Sequence, residues 1–82
     1  MGKASTFAPM RYTLLLRTSE GGHLTSMGST HDIDATRRIA QSALRLEPKA
    51  ASVDIHHYTI NTAELYDAQP LEEVTLDTEL ED

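Results

Sequence analysis

The sequence predicts a single small α+β domain with the element order ββαββ, an antiparallel sheet covered on one face by one helix. Three observations support this fold class: a strand with period-two alternation before a glycine turn, one amphipathic helical segment, and a second β-rich region after position 50. A chain of 82 residues forms one domain with a thin core.

The first two strands are predicted to form a hairpin after a flexible arm at residues 1–9. Between Met10 and Arg17 the apolar residues alternate with polar ones over most of the segment, as in a strand half buried on one face. The pair Gly21-Gly22 then supplies the positive φ angles that a tight turn needs. The second strand runs from His23 to about Gly28.

A helix is predicted from Asp32 to Leu46, with Asp32 as its N-cap and Pro48 ending it. Its apolar half contains larger residues at the edges and small ones in the middle, so the helix axis is expected to lie close to a sheet. The small residues are Thr36, Ala40 and Ala43, the edge residues are Ile33, Ile39, Leu44 and Leu46, and the polar half includes Arg37, Arg38, Gln41 and Ser42.

The third strand is predicted from Ser52 to Ile60, and a turn follows at residues 61–64. A return strand is expected to open at Leu65-Tyr66 and to be interrupted by Pro70, and residues 73–76 have the composition of a short edge strand. The domain is therefore assigned to residues 10–76, and residues 77–82 are expected to form an acidic tail that frays into solvent.

One helix covers only one face of such a sheet, so the other face is expected to be either wet or a contact surface. The residues predicted on that uncovered face are Leu15, His56, Tyr58 and Ile60.

Several site classes have no support in the composition. The chain has no cysteine, which excludes disulfides, thiolate metal sites and a cysteine nucleophile. His56 and His57 are adjacent on a strand and point to opposite faces, so they cannot chelate one ion together. The glycine pair at 21–22 precedes no helix, so it is not a phosphate-binding loop. No Gly-x-Ser-x-Gly motif occurs, so the sequence has no signature of a catalytic serine of a Ser/His/Asp triad. We therefore predict no enzyme activity, no catalytic residue, no metal and no cofactor.

Charge is distributed unevenly along the chain. Residues 1–49 carry all seven basic residues and four acids, whereas residues 50–82 carry nine acids and no base. The acidic half would repel phosphates, so direct binding of nucleic acid is not expected. Arg37, Arg38 and Arg45 are interpreted as ordinary surface charge on the helix. The longest apolar run, Leu14 to Leu16, is far too short for a membrane span, and a cytoplasmic protein is predicted.

The acidic half has two interpretations, which the residues leave open. One is a solvated surface that keeps the protein soluble and protects a sheet edge. The other is a set of carboxylates that imitates phosphates and attracts a nucleic-acid-binding protein through charge.

The chain resembles the small ββαββ proteins of phages and mobile elements, some of which are anti-CRISPR proteins. The resemblance covers about residues 10–76 and is carried by Arg11 to Arg17, Glu20 to Gly22, Asp32 to Ala40 and Val53 to Ile55. Several acidic members look like DNA mimics that occupy the target-DNA site of a CRISPR surveillance complex. The resemblance implies occlusion without catalysis, through an acidic surface comprising Glu64, Asp67, Glu72, Glu73 and Asp77.

The predicted function is thus a non-enzymatic, anti-CRISPR-like inhibitor. Its expected partner is a basic nucleic-acid-binding protein, such as a DNA-recognising subunit of a CRISPR effector complex, and a host-cell cytoplasm is the expected location. One alternative is a homodimeric accessory module of phage origin that pairs through the sheet face around Tyr58 and Ile60. Another is a small metal-dependent hydrolase that uses the histidines. The sequence leaves open whether the chain is a monomer or a homodimer.

Overall fold

A computed structural model describes residues 9–76 of the chain, so most of the predicted arm and all of the acidic tail lie outside the described residues. The elements follow the predicted order and confirm the α+β class. They are β1 (Tyr12–Arg17), β2 (His23–Ser29), α1 (Ile33–Leu46), β3 (Ser52–His57), a 3₁₀ helix (Thr62–Leu65) and β4 (Glu72–Val74). The described strands form one antiparallel sheet in the order β2-β1-β3-β4.

The glycine turn joins β1 and β2 as predicted. Gly21 has a φ of +91°, a conformation that only glycine adopts without strain. The backbone N–H of Gly21 donates to the carbonyl oxygen of Thr18, and that of Thr18 donates to the carbonyl oxygen of Gly22, both at 2.9 Å. Of the two glycines, Gly21 alone uses a positive φ.

The helix has the predicted ends. The Asp32 carboxylate accepts a hydrogen bond from the Ala35 backbone N–H at 2.9 Å, which satisfies one of the free donors of the first turn. Arg45 lies in the last turn, and the helix ends at Leu46, two residues before Pro48. Local sequence signals therefore determined both boundaries.

The core lies between α1 and one face of the sheet. The buried residues of this layer are Leu14, Leu16, Val53, Ile55 and Val74 from the strands and Ala40 and Leu44 from the helix. Thr36 and Ala40 are fully buried, which confirms that small residues let the helix approach the sheet. Two helix residues differ from the prediction. Leu46, the last residue of the helix, is 82% exposed, and Gln41 is buried, with its side-chain amide donating to the Thr75 carbonyl oxygen at 3.5 Å.

The segment between β3 and β4 differs from the sequence prediction. β3 ends at His57, and the Tyr58 N–H still donates to the Arg11 carbonyl oxygen at 3.1 Å. The backbone pairing stops after Tyr58, because the Thr59 N–H donates to the side-chain Oγ1 of Thr13 at 3.3 Å. Leu65-Tyr66 does not open a strand, because the chain forms the 3₁₀ helix there. β4 begins at Glu72, directly after the Leu71 N–H bonds to the Ile55 carbonyl at 2.8 Å.

This connecting segment, residues 58–71, crosses the sheet face that α1 does not cover. Tyr66 stacks on His23 of β2 with ring centroids 3.9 Å apart. Leu15 and His56, predicted on an open face, are only 1% and 4% exposed. The prediction of an uncovered face is wrong for these two residues, and it holds only for Tyr58 and Ile60, which are exposed.

Replacing Ala40 with leucine is expected to lower the free energy of unfolding by about 1–3 kcal/mol, because the added methylenes have no space between α1 and the sheet. Urea denaturation followed by circular dichroism measures the loss. Ser42→Leu, at an exposed position of the same helix, is the control and should stay within about 0.5 kcal/mol of the wild type. Equal stability of the Ala40→Leu variant and the wild type would contradict the packing described above.

Candidate functional site

The acidic half of the chain contains two kinds of carboxylate. Its described acids are Asp54, Glu64, Asp67, Glu72 and Glu73, whereas Asp77 lies outside the described residues. Asp54 and Glu72 are in ion pairs with arginines of the other half. None of the ion pairs found among residues 9–76 uses Glu64, Asp67 or Glu73.

Glu72 joins the β4 edge to the helix. The Arg37 guanidinium donates to both of its carboxylate oxygens, from Nε at 2.7 Å and from Nη2 at 2.6 Å, and Arg37 also pairs with Asp34. These hydrogen bonds hold the pKa of Glu72 below its usual range, outweighing its partial burial. Arg37 is thus an ion-pair residue rather than plain surface charge. Glu72, predicted as a partner-binding residue, is already neutralised within the chain.

The other three predicted acids that the structure describes are exposed to solvent. Glu64 lies in the 3₁₀ helix, and its carboxylate accepts a hydrogen bond from the Asn61 side-chain amide at 3.4 Å. Asp67 follows in the same connecting segment, and Glu73 lies on β4, on the sheet face opposite Glu72. The five predicted site residues therefore fall into three groups. Glu64, Asp67 and Glu73 lie outside the ion pairs of residues 9–76, Glu72 is paired with Arg37, and Asp77 lies outside the described residues.

The surface around Glu73 is concave and polar. Glu73 lines two clefts, of about 320 and 510 Å³, and Arg17 lines both of them as well. The Arg17 guanidinium is already engaged, because it donates to Asp54 at 2.7 Å and to the Gly21 carbonyl at 3.1 Å. Asp54 and Glu72 also line the smaller cleft, but both are in ion pairs. Glu73 is therefore the carboxylate lining these clefts that takes part in no ion pair within residues 9–76.

Arg17 and Asp54 form an ion pair on the far face of the sheet, the face that α1 does not cover. This ion pair was not predicted from the sequence. Asp54 is only 3% exposed, so its charge depends on Arg17 for compensation. A signal was present, because Asp54 stands between two core residues of β3 and Arg17 continues the period-two pattern of Thr13 and Leu15 on β1. The pair has a structural role.

The two adjacent histidines lie on opposite sheet faces, as predicted. His57 stacks on Tyr12 with ring centroids 6.3 Å apart, whereas His56 is buried and its Nε2 has no hydrogen-bond partner among the described residues. Burial lowers the pKa of His56, opposed by the charge of Asp54 and assisted by that of Arg17. Among residues 9–76, no group of three or more potential ligands is placed to hold a metal ion.

Acidification is expected to destabilise the domain through His56. Its pKa in the folded state lies below the unfolded value of about 6.5, so the unfolded chain binds more protons and stability falls as pH drops below about 6.5. Thermal melts between about pH 7.5 and 5 measure this slope. His56→Gln is expected to flatten it, and His57→Gln, at the exposed neighbour, is expected to leave it unchanged. Equal slopes in all three proteins would contradict the assignment to His56.

No family model, curated protein or solved structure matches the chain. Within the described residues, no helix combines the length and the apolar character that crossing a membrane requires. The function is therefore inferred from the fold and from the placement of the charges.

Proposed function

We propose that this chain is a non-enzymatic binding protein that presents Glu64, Asp67 and Glu73 to a basic nucleic-acid-binding protein and excludes that protein's DNA. One observation supports the proposal above all. The chain uses its own arginines to neutralise Asp54 and Glu72, yet these three carboxylates are exposed and take part in none of the ion pairs within residues 9–76. Fixed negative charge of this kind is what a phosphate-binding groove recognises.

The carboxylates are attached to ordered parts of the fold. Glu73 belongs to β4, whose ladder pairs it with Asp54 of β3. Glu64 and Asp67 flank Tyr66, which stacks on His23 and holds the connecting segment against the sheet. A charged group on ordered backbone loses less conformational freedom on docking than one on a free chain, so more of its attraction contributes to affinity.

The resemblance to anti-CRISPR proteins suggests the partner. A DNA-recognising subunit of a CRISPR effector complex holds duplex DNA through basic side chains, and a carboxylate surface can occupy that groove without any chemical step. Inhibition would then be by occlusion, in the cytoplasm of a host cell, and would need no catalytic residue, metal or cofactor from this chain.

The test is an electrophoretic assay with a purified CRISPR surveillance complex, labelled target duplex and increasing amounts of the chain. The wild type is expected to reduce duplex binding, and the required concentration is expected to rise with salt because exposed charges are screened. Asp67→Asn with Glu73→Gln removes two negative charges and should weaken inhibition roughly tenfold or more, at about 1.4 kcal/mol per factor of ten.

The control carries the same change in net charge at another place. Ser42→Lys with Leu46→Lys adds two positive charges on the exposed side and end of α1 and is expected to inhibit within about threefold of the wild type. Equal loss of inhibition in both double variants would show that net charge alone matters. Failure of the wild type to displace the duplex at low salt would reject this partner.

A further inference from the structure

The two edges of the sheet are unlike each other. β4 is a three-residue strand with two glutamates, a short and charged edge that discourages pairing with another chain. β2 is a seven-residue strand without Asp, Glu, Lys, Arg or Pro, and its middle residues, Thr25 to Gly28, are exposed. A long, uncharged edge strand is a template for another extended strand.

Within residues 9–76, little of the rest of the fold covers the middle of β2. α1 packs mainly on β1, β3 and β4 and meets β2 at its end, where Ser29 Oγ and Thr36 Oγ1 are 2.8 Å apart. Met27 is therefore 37% exposed, although it faces the same side as the core residue Leu14. A cleft of about 240 Å³ beside this edge is lined by further exposed apolar side chains, including Met10, Tyr58 and Ile60.

We propose that β2 pairs antiparallel with β2 of a second copy of this chain. The two-fold axis that relates the copies passes midway between their two Ser26 residues. A two-fold axis perpendicular to the sheet leaves each side chain on the same face of the sheet in both copies. Because side chains alternate between the faces, one residue of the strand must then lie opposite the same residue of the other copy. Ser26 is the middle residue of β2. Thr25 then lies opposite Met27 of the other copy, and the two Met27 side chains are diagonal neighbours that can touch.

The distribution of charge favours a second copy as the occupant. β2 contains no Asp, Glu, Lys or Arg, so no like charges of the two strands lie opposite each other in this pairing. Three strand spacings place the acidic β4 edge about 14 Å from β2, beyond the screening length of about 8 Å at physiological ionic strength. Glu64 and Asp67 lie nearer to β2, because they flank Tyr66, which stacks on His23. The antiparallel pairing sets the two His23 residues six positions apart along the strands, about 20 Å, so repulsion between these acids of the two copies is screened as well.

The resulting dimer has a continuous eight-stranded sheet. The two β4 edges lie at its opposite ends, about 34 Å apart if the strands are evenly spaced. The interface uses the β2 edge, unlike a dimer formed through the sheet face around Tyr58 and Ile60. The dimer leaves Glu73 on its outer edges, and the oligomeric state can be measured without reference to the proposed DNA mimicry.

Sedimentation equilibrium of the purified chain over a wide concentration range tests the pairing. The wild type is expected to reach twice the mass of one chain. Ser26→Lys places two lysines opposite each other and is expected to raise the dissociation constant roughly tenfold or more. Ser42→Lys, the same substitution at an exposed helix position, is expected to stay dimeric, and circular dichroism verifies that both variants are folded.

A cysteine variant reports the register directly, because the natural chain has no cysteine. Ser26→Cys is expected to form a disulfide-linked dimer on mild oxidation much faster than Ser42→Cys. A wild type that stays monomeric at every concentration would overturn the proposal and leave the β2 edge to a strand of another protein. Equal crosslinking of the two cysteine variants, or a Ser26→Lys variant as dimeric as the wild type, would also overturn it.

Discussion

Replacing Glu64, Asp67 and Glu73 together by lysine is expected to abolish inhibition of DNA binding while the domain stays folded. Each substitution converts an attraction into a repulsion against a basic groove, and like charges brought together at an interface cost several kcal/mol. All three side chains are exposed and outside the ion pairs of residues 9–76, so each change should alter stability by no more than about 0.5 kcal/mol. Titration of the variant in the electrophoretic assay measures the loss.

Glu72 is left out of this variant for a structural reason. Glu72→Lys would place a cation against Arg37 and detach the β4 edge from the helix, so a loss of function could come from misfolding. The variant with lysines at Ser42 and Leu46 adds two positive charges on another surface, so it tests the effect of the position of added charge and is not matched to the total change of six. Undiminished inhibition by the folded triple-lysine variant would show that the acidic half only keeps the protein soluble.

Replacing Arg17 by methionine is expected to destabilise the domain by about 3–5 kcal/mol, the cost of leaving a buried carboxylate without its partner. Asp54 is 3% exposed and Arg17 donates to it at 2.7 Å. A domain of this size has a total stability near the lower end of about 5–15 kcal/mol, so much of the variant should unfold at room temperature. Urea denaturation followed by circular dichroism measures the change.

A second substitution distinguishes loss of the pair from loss of packing. Arg17→Met combined with Asp54→Leu removes both charges, and it is expected to recover most of the lost stability because no buried charge remains. Arg38→Met, at an exposed helix position, is the surface control and should change stability by less than about 0.5 kcal/mol. A loss below about 1 kcal/mol for Arg17→Met alone would mean that water compensates Asp54.

The parts of the fold that could be predicted are those with local signals. The alternation in β1, the glycine turn and the Asp32 cap each depend on residues a few positions apart. The segment around Leu65-Tyr66 has strand-like composition, but a contact with His23, distant in the sequence, determines its position. Tertiary packing overrode the local preference there, which is why the covered far face could not be predicted.

The candidate site was predictable to a similar extent. The separation of charge along the sequence identified an acidic surface, and the structure leaves Glu64, Asp67 and Glu73 exposed. The sequence could not show that Glu72 is paired with Arg37, because the two residues are 35 positions apart and only the packing of α1 beside β4 brings them together. Asp54 belongs to the acidic half by its position in the sequence, but it is buried and paired with Arg17.

Competition between the chain and duplex DNA for one purified CRISPR surveillance complex tests the central claim most directly. If the carboxylates occupy the DNA groove, binding is mutually exclusive, and the concentration of chain needed for half-inhibition rises in proportion to duplex concentration once the duplex exceeds its own dissociation constant. The predicted result is this proportional rise with no ternary complex. A stable complex that holds both the chain and the duplex, or half-inhibition independent of duplex concentration, would contradict the proposal that the chain mimics DNA.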